Sequence, residues 1–166
     1  MADLPEFKFW FNTSDSEMGV RMGLGIYETE TVDFYRRTIT LGMTCWDIGS
    51  QTGFYTCLFA YLAGANGKVI AYEPMPESFE MINRNIAANE WGSRVIVNNV
   101  ACSDSAGYLS MLPIAQMYMA DNESPNAKKN KYVRLDQENN PFPDIIKIDV
   151  EGHEPAVIRG LSGILE

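Results

Sequence analysis

The stretch Thr44-Cys45-Trp46-Asp47-Ile48-Gly49-Ser50-Gln51-Thr52-Gly53 constrains this chain more than any other. Thr44 to Ile48 reads as a short buried strand, stopped by a glycine turn. A helix carrying Leu58, Tyr61 and Leu62 begins near Phe54. Glycines at positions 49 and 53 permit a sharp turn and let a ligand approach main-chain atoms without meeting a Cβ. The helix N-terminus behind them offers unpaired N–H groups. Such a strand, turn and helix either opens a nucleotide-type pocket or is a plain structural turn.

Asp47 narrows the choice of ligand. A dinucleotide-binding turn reads G-x-G-x-x-G and receives a pyrophosphate. This one reads D-x-G-x-x-x-G, and a fixed carboxylate at the strand end repels a diphosphate. The same charge suits a cationic ligand, and S-adenosylmethionine carries both an ammonium and a sulfonium.

Downstream, Gly64-Ala65-Asn66-Gly67 terminates the helix, and Lys68 to Glu73 reads as a second strand. Pro74-Met75-Pro76 breaks it, with Pro76 suited to the first turn of a helix that carries Phe79, Ile82 and Ile86 on one face. Arg94 to Asn98 is a third apolar run. Alternating strands and helices give the rhythm of a parallel sheet. Glu73 then ends the second strand at the edge where Asp47 ends the first. A carboxylate there either accepts hydrogen bonds from both hydroxyls of an adenosine ribose or caps the following helix.

Between Ala101 and Asp144 the pattern loosens. Tyr108 to Leu112 and Lys131 to Leu135 read as short strands, separated by a polar loop over Asp121 to Asn130 that includes Lys128 and Lys129. Met111, Met117, Tyr118 and Met119 line an acceptor site or fill core. Ile145 to Asp149 is a fourth strand, again ending in a carboxylate, and Pro155 opens a helix with Val157, Ile158 and Leu161. Glu151, His153 and Glu154 lie between. Parallel strands present ligands at their carboxyl ends, so Asp47, Glu73 and Asp149 are expected to converge on one crevice.

Ahead of the core, Phe7 to Phe11 reads as a strand or an aromatic flap. Val32, Tyr35, Arg36 and Ile39 suit a helix capped by Thr31 and ended by Gly42. Trp10 and Tyr27 are candidates for the pocket mouth. The 166 residues make one domain, with 1–43 as lead-in and covering helix and 44–166 as the α/β core. A net charge of −9 argues against a nucleic-acid footprint. No apolar stretch approaches a membrane span, the N-terminus has no leader pattern, and a cytoplasmic protein is expected. Cys45, Cys57 and Cys102 make no metal-binding pair, so no metal site is expected, and Cys45 and Cys57 read as small core residues.

With these residues assembled, the chain resembles the FkbM family of S-adenosylmethionine-dependent methyltransferases. The resemblance rests on Asp47 to Thr56, on Ala71-Tyr72-Glu73-Pro74, on Asn98 to Asp104, and above all on Ile146-Lys147-Ile148-Asp149-Val150-Glu151-Gly152-His153-Glu154. It implies a doubly wound, mostly parallel Rossmann-like α/β sheet with helices on both faces, of the class I methyltransferase type. By the same resemblance Asp47, Gly49 and Gly53 hold the methionine part of the cofactor, Glu73 holds its ribose, and Asn99, Ala101 and Asp104 face its adenine. Ser50, Gln51 and Pro74 are further cofactor-binding candidates. Ser50-Gln51 stands where members usually carry Ala-Asn.

The implied reaction is O-methylation of a hydroxyl on a small-molecule acceptor, a sugar or secondary metabolite, leaving S-adenosylhomocysteine. It needs a base near the transfer point, for which Asp149 and His153 are the candidates. The architecture normally continues past Leu161 with a fifth strand and an antiparallel pair. The chain therefore reads as C-terminally truncated, with the fourth strand an open edge that admits a homodimer. The alternative function is a non-catalytic cofactor-binding or dimerisation module. A nicotinamide-dependent oxidoreductase is disfavoured by the glycine spacing and by Asp47.

Overall fold

The computed structural model describes residues 2–3, 7–11, 16–111 and 128–165. A two-residue pairing, β1 (Ala2–Asp3) with β2 (Lys8–Phe9), precedes the helices α1 (Ser16–Gly23) and α2 (Thr29–Thr38). The core then runs β3 (Thr44–Ile48), α3 (Phe54–Ala63), β4 (Lys68–Tyr72), α4 (Pro76–Ala88), β5 (Val95–Asn98). Three strands follow, β6 (Ala101–Ser103), β7 (Gly107–Met111) and β8 (Lys128–Arg134), then a single 3-10 turn at Leu135–Gln137. The last elements are β9 (Ile145–Ile148), α5 (Glu154–Gly160) and α6 (Ser162–Leu165).

The main sheet is parallel throughout, in the order β5-β4-β3-β9. Its central strands β3 and β4 are buried on both faces, which is why they read as continuous apolar runs and not as alternating ones, whereas Ile96 on the edge strand β5 is exposed. The period of two still decides which core each residue joins. Cys45, Val69 and Val95 pack with Val32, Tyr35, Leu58, Phe59, Ile82 and Ile86 from α2, α3 and α4. Trp46, Ile48, Ile70 and Tyr72 turn the other way, onto Cys102, Val133, Leu135, Val157 and Leu161. Each large apolar side chain buried here contributes about 1.5–3 kcal/mol. All three cysteines are buried free thiols: Cys45 and Cys57 lie in the first core and Cys102 in the second.

The second core is roofed partly by a small mixed sheet, β6-β8-β7, in which β6 runs parallel and β7 antiparallel to β8. Two expectations are corrected here. Lys128 and Lys129 belong to a strand and not to a polar loop, because β7 supplies them with an antiparallel partner. Helix α2 begins at Thr29, not after Thr31, and ends at Thr38, short of Gly42. Its N-cap is Glu28, in the left-handed region at φ 41°, with a side chain committed elsewhere. Met117, Tyr118 and Met119 lie outside the described residues.

The N-terminal segment is held in an unusual way. Asn89 accepts from the Lys8 N–H through Oδ1 (2.8 Å) and donates to the Lys8 carbonyl (2.7 Å). One helical turn back, Asn85 accepts from the Trp10 N–H (2.5 Å) and donates to the Trp10 carbonyl (3.1 Å). Carboxamides at i and i+4, one on α4 and one at its C-cap, thus stand in for a neighbouring strand. Phe7 and Phe9 pack against Phe54, and Arg84 lies 3.9 Å from the Trp10 ring centre. Phe7 and Phe9 are core residues, and Trp10 lies on α4.

Candidate cofactor crevice at the carboxyl edge of the sheet

Strand register brings the acidic strand ends together. Ile48 lies opposite both Tyr72 and Ile148, so Glu73 and Asp149 leave the sheet on either side of the turn that follows Ile48. The three carboxylates expected to converge therefore occupy one rim.

They are not equivalent. The Asp47 side chain is 0% exposed and points between β3 and α3. Its Oδ2 accepts from the Thr56 hydroxyl at 2.6 Å. Its Oδ1 lies 3.5 Å from Lys147 Nζ, an ion pair without an aligned hydrogen bond, and receives no hydrogen bond among the described residues. Lys147 stands directly opposite Asp47 in the β3–β9 register. Its ammonium is also 3.5 Å from Asp149 Oδ2, 3.5 Å from the Gly49 carbonyl and 5.1 Å from the centre of the Tyr55 ring. Lys147 thus joins a buried carboxylate to one whose side chain is 59% exposed.

The glycine turn is shaped by the chain's own packing. Gly49 sits at φ 80°, and a Cβ there would lie 1.9 Å from the Asp149 carbonyl oxygen. Gly53, at φ 87°, caps α3, and a Cβ there would meet Ile82 of α4 at 3.1 Å. Ser50 Oγ donates to the Asp47 carbonyl (2.7 Å) and accepts from the Tyr72 N–H (3.2 Å), tying the ends of β3 and β4. Gln51 adopts φ 49° and is exposed.

Glu73 is 5% exposed. Its Oε2 accepts from the Gln51 N–H and its Oε1 from the Met75 N–H, both at 2.9 Å. The carboxylate therefore bridges the glycine turn and the N-cap residue of α4. Burial pushes its pKa up to about 7, against the opposing pull of those two N–H groups. Each oxygen keeps a further lone pair for a ligand hydroxyl. Asn99 donates from Nδ2 to the carbonyls of Glu73 and Pro74 (2.8 and 3.1 Å), fixing the chain where β4 ends.

The remaining sequence candidates lie toward the small sheet. Ala101 pairs with Tyr132. Asp104 bonds Arg159, whose guanidinium holds its carboxyl below the usual range. His153 Nε2 lies 3.0 Å from Ser103 Oγ on β6. Glu154 accepts from the Val150 and Gly152 N–H groups and closes the turn into α5.

On the opposite side of Lys147, Glu28 accepts the Tyr55 hydroxyl at 2.5 Å. The phenol of Tyr27 is held protonated, mainly by burial and then by Glu28. Lys147 and Glu28 went unread as site residues. The available signal for Lys147 was a lysine inside Ile-Ile-Lys-Ile-Asp, on the same strand face as Asp149. Among the described residues no helix is long and apolar enough to cross a membrane, and no His, Cys, Asp and Glu cluster is arranged to hold a metal ion.

A parallel sheet whose acidic strand ends meet over a glycine turn defines a class I, Rossmann-like methyltransferase fold. The model of the methyltransferase FkbM domain matches residues 47–166, and this chain belongs to that family. It is similar to the hexuronic acid methyltransferase AglP of Haloferax volcanii, 29% identical over 127 residues, covering 73% of this chain and 51% of AglP. A shorter similarity, 36% over 61 residues, relates it to the protein-L-isoaspartate O-methyltransferase of Methanococcoides burtonii, covering 37% of this chain and 30% of that protein. The chain thus spans about half the length of AglP, or less of the second relative.

Two solved structures share the fold. Methyltransferase FkbM from Methylobacillus flagellatus aligns with a TM-score of 0.54 at 14% identity, covering 88% of this chain and 40% of that one. The C-terminal domain of precorrin-6Y C5,15-methyltransferase from Rhodobacter capsulatus aligns with a TM-score of 0.53 at 17% identity, covering 94% and 64%.

Proposed function

We propose that this chain is the cofactor-binding core of an S-adenosylmethionine-dependent O-methyltransferase acting on a hydroxyl of a small acceptor, a sugar or secondary metabolite. The observation that carries the reading is the single rim on which Asp47, Glu73 and Asp149 meet with one intervening ammonium, that of Lys147. Among the described residues the rim sets Asp47, Asp149 and a Glu73 that is partly protonated near neutral pH against the one ammonium of Lys147, a balance that stays acidic and suits a sulfonium and an ammonium. Glu73 has the position and free lone pairs to accept the two ribose hydroxyls. Asp47 acts through Lys147 and the turn, because its carboxylate is sealed behind Thr56. When bound, the cofactor supplies an electrophilic methyl group.

The protein's part is to hold an acceptor oxygen in line with that methyl and to take its proton. Asp149 is favoured for the proton, since its carboxylate is exposed at the rim and pinned by Lys147 at one oxygen. His153 has its Nε2 engaged by Ser103. Similarity to a hexuronic acid methyltransferase supports a carbohydrate acceptor.

Calorimetric titration with S-adenosylmethionine and S-adenosylhomocysteine tests this reading on wild type, Asp47→Ala and Glu73→Ala. Micromolar binding weakened at least about tenfold by each substitution is expected. Binding unaffected by both removes the basis for it. A second reading, a non-catalytic module that pairs through a sheet edge, is favoured by one observation: β9 has β3 on one side and no other strand among the described residues. Concentration-dependent sedimentation without methyl transfer to hydroxylated acceptors would support it.

A further inference from the structure

Asn85 is fully buried and uses its whole carboxamide on segments far apart in sequence. Oδ1 accepts from the Trp10 N–H (2.5 Å), while Nδ2 donates to the Trp10 carbonyl (3.1 Å) and to the Thr52 carbonyl (3.0 Å). Thr52 lies inside the glycine turn, between Gln51, whose N–H binds Glu73, and Gly53, whose N–H donates to the Ser50 carbonyl at 2.8 Å. One side chain on α4 therefore grips both the N-terminal segment and the loop proposed to receive the cofactor. Its neighbour Asn89 grips Lys8 and its own helix, and has no bond to the turn.

We propose that Asn85 is a positioning residue that couples docking of residues 7–11 to the ligand-ready form of the glycine turn, so that each favours the other. A buried carboxamide with one partner missing is left with unsatisfied polar atoms. Release of Trp10 therefore frees the Asn85 amide to rotate and loosens its hold on the Thr52 carbonyl. Gln51 precedes Thr52 and its N–H binds Glu73, so the cost falls on the ribose side of the rim. Linkage makes the effect reciprocal: a ligand that orders the turn tightens the N-terminal segment without touching it. The ligand half of this inference rests on the S-adenosylmethionine reading, whereas the coupling of Trp10 to the turn does not.

Residue-resolved amide exchange by NMR tests it on wild type, Asn85→Ala and Asn89→Ala. Asn85→Ala is expected to speed exchange at both Trp10 and Gly53 by about tenfold and to weaken S-adenosylmethionine binding about fivefold. Asn89→Ala is expected to speed exchange at Lys8 alone and to leave affinity within about twofold. In wild type, saturating S-adenosylmethionine is expected to slow the Trp10 amide, a measurement that needs no variant and stands if Asn85→Ala does not fold. Unchanged Gly53 exchange in Asn85→Ala, or an unprotected Trp10 amide in the saturated wild type, overturns the proposal. Failure of wild type to bind S-adenosylmethionine overturns the cofactor reading instead, and the Gly53 rates without ligand then decide the coupling.

Discussion

The α-carbon of Gly49 lies so close to the Asp149 backbone that an added Cβ would sit 1.9 Å from the Asp149 carbonyl oxygen. The obstruction is main chain and cannot swing aside, and φ is 80°. Gly49→Ala is therefore expected to cost about 2–4 kcal/mol in urea unfolding. Gly152 makes the comparison: it has φ 96° but nothing within 4 Å of a Cβ. Gly152→Ala should cost only about 1 kcal/mol. Equal losses at both positions would show that the contact with Asp149 is unimportant.

Glu73 gives the protein a pH signature. Burial raises its folded-state pKa from 4.5 to about 7, so the folded state holds a proton that the unfolded chain has lost. Its contribution to stability is fully present below pH 4.5 and is lost as pH rises through about 7. Removing the charge should reverse that loss. Glu73→Gln turns one accepting oxygen into an NH2 that faces a backbone N–H, so it is expected to be less stable than wild type near pH 5, with the gap closing by up to roughly 3 kcal/mol as pH rises to 8. The same substitution should weaken cofactor binding. Thermal melts across this range, with titrations alongside, separate the two effects.

The Asp47–Lys147 pair should show strong coupling. Asp47 is sealed from solvent, so removing Lys147 strands its carboxylate, whereas removing Asp47 leaves the nearly buried Lys147 with Asp149 and the Gly49 carbonyl. Lys147→Met is expected to cost about 3 kcal/mol, Asp47→Asn less than that, and the double variant clearly less than their sum. A double-mutant cycle in urea measures this. Strict additivity would mean that the 3.5 Å approach carries no interaction energy.

In the turn after β8, Asp136 receives Arg134 at both oxygens (2.6 and 2.7 Å) and the Gly163 N–H at 3.2 Å. The Arg134 bonds are the chief cause that lowers its pKa to about 2. The tie to α6 is present above the ordinary carboxylate range and is lost as pH falls through about 2. A carboxyl-carbon NMR titration should give that midpoint. Asp136→Asn should speed exchange at the Gly163 amide.

Much of the fold was legible because buried parallel strands write themselves as apolar runs, and each is followed here by a turn signal. Thr44 to Ile48, Lys68 to Tyr72, Val95 to Asn98 and Ile145 to Ile148 all stand where the runs fall. β6 was not, since Ala-Cys-Ser has no period to read and becomes a strand only beside Tyr132 to Arg134. Helix α2 was misplaced at its start because Thr31 has the chemistry of a cap, whereas Glu28 takes the position through its backbone while its side chain serves Tyr55. At the rim, the carboxylates could be placed by strand position alone. Which of them faces solvent could not, because that depends on Thr56 and Lys147 arriving from other elements.

The three thiols carry a practical consequence. Cys45 on β3 and Cys57 on α3 lie in the core shared with α2 and α4, and Cys102 on β6 lies in the core shared with α5, with burial raising each thiol's pKa, that of Cys45 to about 12. A native molecule should be nearly inert to alkylating reagents, so any labelling clocks an opening event. Two strata of the protein thus come with built-in timers, and pulsed alkylation read by mass spectrometry would tell which one lifts first.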